Sequence, residues 1–397
     1  MSRMPGLGKR QAAERDELAA QTVRARAVAI PLLACAIIAM LGALWGGLLR
    51  IGWPWPVVAP SLARDHGPLL IGGFLGTLIS LERAIALRAT WSFAAPLCSA
   101  AGALLLLAGL PAWAGALLLT LGSGGLVVIA AALLRRQAAL FHGLLVLGAA
   151  LWLGGNLRWL GGATIPQVVP WWQGFLVVTI VAERLELSRL IRTSRWQRAS
   201  YLAAIGALLA GVATTVVAPD AGARLFGLGL LGLALWLWRY DIARRTVRKA
   251  GLTRFIAVAL LTGYAWLGIG GILALAFGSV SGGTHYDAFV HALLVGFVIG
   301  MIFAHAPIIF PAILRVSIAY SPALYLPVIL LQLSLALRLL GDLLTLATLR
   351  QVGGLLNAVT LLAFLGNTLR LALRGGRAGA RPRDKNAPHP ERELGPA

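Results

Sequence analysis

Long apolar segments, separated by short polar ones, fill this 397-residue chain from residue 28 to residue 374. A helix that crosses the hydrocarbon core of a bilayer needs about 20 consecutive, mostly apolar residues. At that length the pattern predicts an all-α polytopic membrane protein of about twelve transmembrane helices. The predicted spans are 28–50, 67–88, 92–110, 112–134, 138–155, 167–191, 198–217, 222–244, 254–278, 286–313, 321–343 and 350–374.

The two ends of the chain differ in composition from the twelve-span domain, which we place at 28–374. Residues 1–27 are polar and charged and lack the short apolar core of a cleavable signal. We therefore predict an N-terminal cytoplasmic tail there. Residues 375–397 are rich in Gly, Pro and charge, which predicts a disordered, basic cytoplasmic tail.

The cationic residues sort the loops into two kinds. Loops that follow even-numbered spans carry clustered Arg and Lys, with the largest clusters at 184–198 and 244–254, whereas the opposite loops carry few. Because Lys and Arg concentrate on the cytoplasmic side of membrane proteins, both termini are predicted to be cytoplasmic. The formal net charge of +21 follows from these loops and tails, and we expect no nucleic-acid binding.

The composition of the chain limits the kinds of functional site that we expect. Hydrophobic residues make up 59% of the chain and charged residues 12%, against about 45–50% and 25% in soluble domains. Cys35 and Cys98 lie in separate apolar runs without a CxxC motif, which disfavours a disulfide framework, a thiolate zinc site or an iron–sulfur cluster. No phosphate-binding loop or hydrolase motif occurs in a usable context, so ATP-driven transport is not expected.

Three of the histidines in or directly beside the predicted spans are the main candidates for chemistry. An ionisable residue inside a membrane span is by default a functional-site hypothesis, because hydrocarbon penalises it unless it has a partner. With both termini inside, His66 at the start of span two and His291 at the start of span ten lie at matching depth in the outer half. His305 follows His291 by fourteen residues and lies towards the inner side. His285 is predicted to be a surface residue.

The outer pair suggests a haem site. Two histidines at one depth in a helical bundle can supply both axial ligands of a haem b. On a regular helix Gly73 and Thr77 lie on the face of His66, where small side chains give a flat macrocycle room. A second reading remains open: the GxxxG pattern at 72–76 forms a helix-packing face and His66 is an interfacial residue in water.

The inner group offers a second, separate hypothesis. Met301 and His305 are four residues apart and share a helical face, a spacing that suits a soft metal such as copper. His142 opens span five from the same side. The alternatives are a proton-carrying role for His305 or a purely structural one.

Two short motifs resemble those of a known family. HALLVGFVIGM, residues 291–301, resembles the HAL-x-VG-x-x-x-x-M stretch of the NnrS family. HGPLLIGGF, residues 66–74, is similar to that family's H-x-H-E-M-L-F-G-F segment, although Pro68 and Leu69 stand where the family has its second histidine and its glutamate. The family comprises bacterial membrane proteins of the nitric oxide response that contain haem and copper. It is often compared with the twelve-span catalytic subunit of haem-copper oxidases.

The resemblance implies a function and a location. It implies a multi-pass protein of the bacterial inner membrane that binds haem at His66 and His291, with nitric oxide or a redox partner as its counterpart. Spans six and seven contain no histidine, so a terminal oxidase with a binuclear centre is not expected. The competing hypotheses are a proton-coupled secondary transporter without a cofactor and an assembly factor that delivers haem or copper.

Overall fold

The structure is a computed structural model that describes residues 7–187, 194–314 and 320–379. Within these ranges the regular structure is helical throughout, as the apolar pattern predicts, because a chain in hydrocarbon must pair its backbone polar groups internally. A single 3₁₀ turn precedes α3 and another precedes α11. The long helices are α1 Leu7–Arg50, α2 Leu62–Leu87, α3 Ala94–Leu107, α4 Ala112–Arg136, α5 Leu140–Leu160, α6 Ile165–Leu187, α7 Arg195–Thr214, α8 Pro219–Tyr240, α9 Gly251–Phe277, α10 283–314, α11 Tyr325–Leu343 and α12 Ala347–Gly379.

Eleven of these helices, within the described residues, are long and apolar enough to cross a membrane. The remaining one, α7, is the predicted span 198–217, and its first two turns are polar (RWQRAS). It still packs tightly on α8: a Cβ on Gly229 would lie 2.5 Å from the backbone nitrogen of Leu208. Small residues at such crossings let helix backbones approach closely in membranes. The fold class is therefore confirmed, with α7 as a more polar member of the bundle.

The observed helix ends correct the two predicted tails in part. α1 begins at Leu7, within the segment predicted to be only a polar tail, and its apolar part begins at Ala27. α12 continues to Gly379, five residues into the segment predicted to be disordered. Once a helix is formed, each added residue gains a backbone hydrogen bond, so helices run past their last apolar residue. Residues 380–397 lie outside the described part.

Two helices, α2 and α10, are with α6 the most buried of the bundle. In α10, 78% of the most apolar window is buried, against 39% in α1. Each approaches a tryptophan through a glycine: a Cβ on Gly76 would overlap the ring of Trp152 on α5, and one on Gly296 the ring of Trp266 on α9. These contacts fix the positions of the two helices that carry the candidate histidines.

Both α2 and α10 contain a segment of π-helix. It covers Leu69–Gly76 in α2 and Ala292–Ile299 in α10, so it begins shortly after His66 and directly after His291. π-helical turns are rare and occur frequently at functional sites. They also change the side-chain register, since the α-helical repeat of 3.6 residues no longer holds through them.

Candidate functional site

A cavity of about 780 Å³ opens among α1, α2, α6, α10, α11 and α12. It lies at the end of the bundle where the loops 51–61, 161–164 and 344–346 connect these helices, which is the face predicted to be outer. Cofactor and small-molecule sites in proteins have volumes of about 300–1,000 Å³. The cavity is thus large enough for a cofactor.

His66 and His291 both line this cavity. The Nδ1 atom of His66 lies 2.9 Å from the carbonyl oxygen of Ala63, and that of His291 lies 2.8 Å from the carbonyl oxygen of Asp287. A carbonyl oxygen only accepts hydrogen bonds, so each Nδ1 carries the proton. Each Nε2 is then a lone-pair donor, the form in which histidine binds a metal.

The cavity is charged at its mouth and apolar at its floor. Four arginines line it near the helix ends, and for Arg50 the described residues give no carboxylate partner. Further along the same helices, towards the middle of the bundle, the lining is aliphatic. The arginines are Arg50, Arg64, Arg338 and Arg350, and the aliphatic side chains are Leu70, Ile71, Leu294, Val295, Ile299 and Leu361.

A largely buried ion pair supports His291. Arg338 donates to both carboxylate oxygens of Asp287, at 2.8 Å and 2.9 Å, and Asp287 Oδ1 lies 3.3 Å from His291 Nδ1. Next to Asp287 is the carboxyl group of Asp342, which is fully buried and has the Nε of Arg350 at 3.9 Å. The network therefore joins α10, α11 and α12 at the cavity wall.

A second carboxylate stands beside His66. Asp65 is buried, and the largely exposed Arg64 donates to both of its oxygens, at 2.8 Å and 3.1 Å. Both residues line the cavity. Unlike Asp287, Asp65 makes no hydrogen bond or ion pair with the histidine ring in the described part of the chain.

The structure does not bring Gly73 and Thr77 to the cavity. A Cβ on Gly73 would lie 2.7 Å from the Cβ of Ala103 and 3.0 Å from that of Ala39, so this glycine packs against α3 and α1. Thr77 is fully buried. The π-helical segment lies between these positions and His66 and changes the register that a regular helix would give. Space beside the histidine comes instead from α1, where a Cβ on Gly47 would lie 3.8 Å from His66 Cδ2.

His305 and Met301 lie away from this cavity, towards the other end of α10. His305 Nδ1 lies 2.7 Å from the carbonyl oxygen of Met301, and His305 Nε2 is buried without a hydrogen-bond partner in the described residues. Met301 is buried, with its methyl group against Gly263 of α9. In the described part of the chain no three His, Cys, Asp or Glu side chains group as a metal site would require.

The other candidate residues have ordinary environments. His285 is exposed and stacks on Phe277, with ring centroids 4.0 Å apart, as expected for a surface residue. His142 is half-buried and bonds to the carbonyl oxygen of Gln137. At the inner end of the bundle Arg83 pairs with Glu183 and lies 3.6 Å from Glu82.

Sequence reasoning missed the charged partners of the site. Arg338 stands within an apolar run (LQLSLALRLLGDLL), and an arginine there was itself a signal, because a buried guanidinium needs a partner. Asp287 precedes His291 by four residues, the spacing at which helix side chains meet. The pairing of Arg338 with Asp287 joins residues 51 positions apart, and nothing in the sequence indicated it.

The comparisons with known proteins give a family without a described activity. The chain belongs to the family described as "Domain of unknown function (DUF8744)", whose profile matches residues 29–373. No curated protein matches the chain. No solved structure matches it either.

Proposed function

We propose that this member of the DUF8744 family is a haem-binding integral membrane protein, with His66 and His291 as the axial ligands of a haem b. The observation that carries the proposal is that these two residues, selected from the sequence by depth alone, line one cavity in the same tautomer. Two ring nitrogens in the metal-binding form, on two helices around one cavity, are the arrangement that a bis-histidine haem requires.

The lining of the cavity fits the amphipathic shape of haem. The porphyrin is apolar and flat, and its two propionates are anionic. The aliphatic floor would receive the macrocycle, and the arginines at the mouth would receive the propionates. Arg50 is suited to this role, since the described residues give it no carboxylate partner while Arg64 and Arg338 are paired. Arg–carboxylate hydrogen bonds are charge-assisted and therefore strong.

The haem iron, once bound, would supply one-electron chemistry or a binding position for a small molecule such as nitric oxide. The chain's own residues would hold the ligand rings, neutralise the propionates and exclude water from the apolar floor. This matches the role implied by the resemblance to the NnrS family: a nitric oxide or redox-stress protein of the bacterial inner membrane, in contact with lipid and with a redox partner.

The test is a reduced-minus-oxidised absorption spectrum of the detergent-purified chain from haem-replete cells, with haem quantified on the same sample. We expect b-type bands at near-stoichiometric haem, abolished or strongly altered in His66→Ala and His291→Ala. His285→Ala is the matched control, because this histidine lies six residues from His291 but is exposed, and its spectrum should equal that of the wild type. Unchanged spectra in both ligand variants would refute the assignment.

Copper fits the described residues less well. His305 Nε2 and Met301 offer two donors on one helix turn, and no group of three His, Cys, Asp or Glu side chains surrounds them within the described part. We therefore assign no step to copper. Metal analysis of the purified chain tests it directly.

The second candidate function is a proton-coupled transporter without a cofactor. It is favoured by the buried Nε2 of His305, which has no hydrogen-bond partner among the described residues, and by the carboxyl group of Asp287 at the cavity, next to that of the buried Asp342. A sample with no haem and no metal would make it the leading candidate. An assembly factor would instead give up its haem or metal during purification.

A further inference from the structure

The two histidines of the cavity differ in what holds them, and we propose that this difference divides their roles. His291 is the permanent ligand, positioned by Asp287 and Arg338, and His66 is the ligand that a small molecule displaces. The inference rests on the proposed haem site and adds to it the position at which a diatomic ligand binds.

His291 is held by a carboxylate that is itself fixed. Its Nδ1 lies 2.8 Å from the Asp287 carbonyl oxygen and 3.3 Å from Asp287 Oδ1. Arg338 on the neighbouring α11 fixes that carboxylate with two hydrogen bonds and is itself only 7% exposed. A carboxylate behind a histidine fixes the orientation of the ring and makes Nε2 a stronger donor to a metal.

His66 is held only by a neutral group in the described structure, the carbonyl oxygen of Ala63 at 2.9 Å. It lies in the first turns of α2, which begins at Leu62 directly after the 51–61 loop. Two residues on, Pro68 lacks an N–H, so the carbonyl of Arg64 loses its usual helix partner. The turn that carries His66 therefore has fewer hydrogen bonds than a regular helix.

There is also room for His66 to move. A Cβ on the adjacent Gly67 would meet no atom within 4 Å, and one on Gly47 would come no closer than 3.8 Å to the ring. When a small neutral ligand arrives, the Fe–Nε2 bond of His66 breaks and a bond from iron to the ligand forms. No proton or electron is transferred in this exchange.

The test uses carbon monoxide as the probe, added to the full-length, dithionite-reduced protein in detergent. We expect His66→Ala to keep its haem and to bind carbon monoxide without the slow displacement step, and His291→Ala to lose most of its haem. Asp287→Asn should raise the rate of haem loss about 10- to 100-fold, the usual effect of removing a partner behind a metal ligand. It should also raise the reduction potential, because a weaker histidine donor stabilises ferric iron less.

Asp65→Asn is the matched control. This carboxylate also lines the cavity and is bound by an arginine through two hydrogen bonds, and it adjoins His66 in sequence. We expect its rate of haem loss to match that of the wild type and its reduction potential to rise less than in Asp287→Asn, because the same charge is lost without a change at a ligand ring. Size-exclusion profiles and helical circular dichroism establish that each variant is folded, and Asp287→Asn carries the test if His291→Ala does not fold.

The outcomes separate this inference from the proposed function. A wild type with stoichiometric haem in which His66→Ala loses haem as completely as His291→Ala, or in which Asp287→Asn behaves as Asp65→Asn does, would overturn the division of roles and leave the haem assignment intact. A wild type without haem would overturn both. Retained haem with fast carbon monoxide binding only in His66→Ala would support both.

Discussion

Replacing Arg184 by methionine tests how far one buried ion pair holds the inner end of the bundle together. Arg184 on α6 donates to both oxygens of Asp241, which directly follows α8, at 2.9 Å and 2.7 Å. The arginine side chain is 3% exposed and that of Asp241 is fully buried. The backbone N–H of Ala243 also donates to Asp241, at 2.7 Å.

The size of the effect follows from what the substitution leaves behind. Arg184→Met has similar length but leaves a buried carboxylate, which among the described residues keeps the hydrogen bond from the Ala243 N–H. Removing one partner of a buried pair costs about 3–5 kcal/mol, which is about two to three and a half orders of magnitude in the unfolding equilibrium at 1.4 kcal/mol per factor of ten. In Arg184→Met/Asp241→Leu both charges of the pair are gone, and the loss at Asp241 is reduced to the unpaired Ala243 N–H, about 1–3 kcal/mol.

The assay is equilibrium unfolding in mixed micelles with increasing sodium dodecyl sulfate, followed by circular dichroism. The four proteins of the double-mutant cycle give the coupling between the two side chains directly. Arg224→Met is the control: the Asp220–Arg224 pair has a similar N···O distance, 2.8 Å, through one hydrogen bond, but is largely exposed, at 62% and 46%, and its loss should barely move the midpoint. An effect of Arg184→Met below about 1 kcal/mol, or a double variant less stable than either single variant, would refute the reasoning from burial.

Two further predictions concern packing and orientation. Gly296→Ala should lower the free energy of unfolding by about 1–3 kcal/mol, because the added methyl group overlaps the Trp266 ring. The control is Gly206→Ala, where a Cβ would meet nothing within 4 Å; it should be neutral or slightly stabilising. Equal effects at both sites would contradict the packing argument. With the two native cysteines replaced, Val58→Cys should react with a membrane-impermeant maleimide in intact cells and Gln137→Cys only after lysis; the reverse pattern would place both termini outside.

The helices themselves were predictable from the sequence because the bilayer leaves the backbone few choices. An apolar run of about 20 residues must be helical to satisfy its own hydrogen bonds, and the observed helices match the predicted runs. The exception in hydropathy is α7. Its polar first turns exclude it from the helices apolar enough to cross a membrane, yet Gly211 of α7 and Gly229 of α8 let the two helices pack closely. Orientation was a separate prediction from loop charge, and the labelling experiment above tests it.

For the candidate site, the sequence predicted only the depth of its residues along the membrane normal. Topology alone places His66 and His291 at one level, and the structure has both at one cavity. Depth does not say which helices are neighbours. The contact between Asp287 and Arg338 depends on α10 lying beside α11. The pair of Arg184 with Asp241 depends on α6 lying near the end of α8. Hydropathy leaves this lateral order open, because lipid is as apolar as the helix faces that it covers.

The π-helical segment of α2 explains why Gly73 and Thr77, which were predicted to share the face of His66, do not line the cavity. A straight α-helix turns by about 100° per residue, so positions seven and eleven residues on return to the starting face. In α2 the residues that line the cavity are 64–67, Leu70 and Ile71, and the series stops inside the Leu69–Gly76 segment. The wider turn directs the following glycines onto neighbouring helices instead. These glycines thus fix the position of α2 against its neighbours, and the cavity lies beside the first turns of that helix.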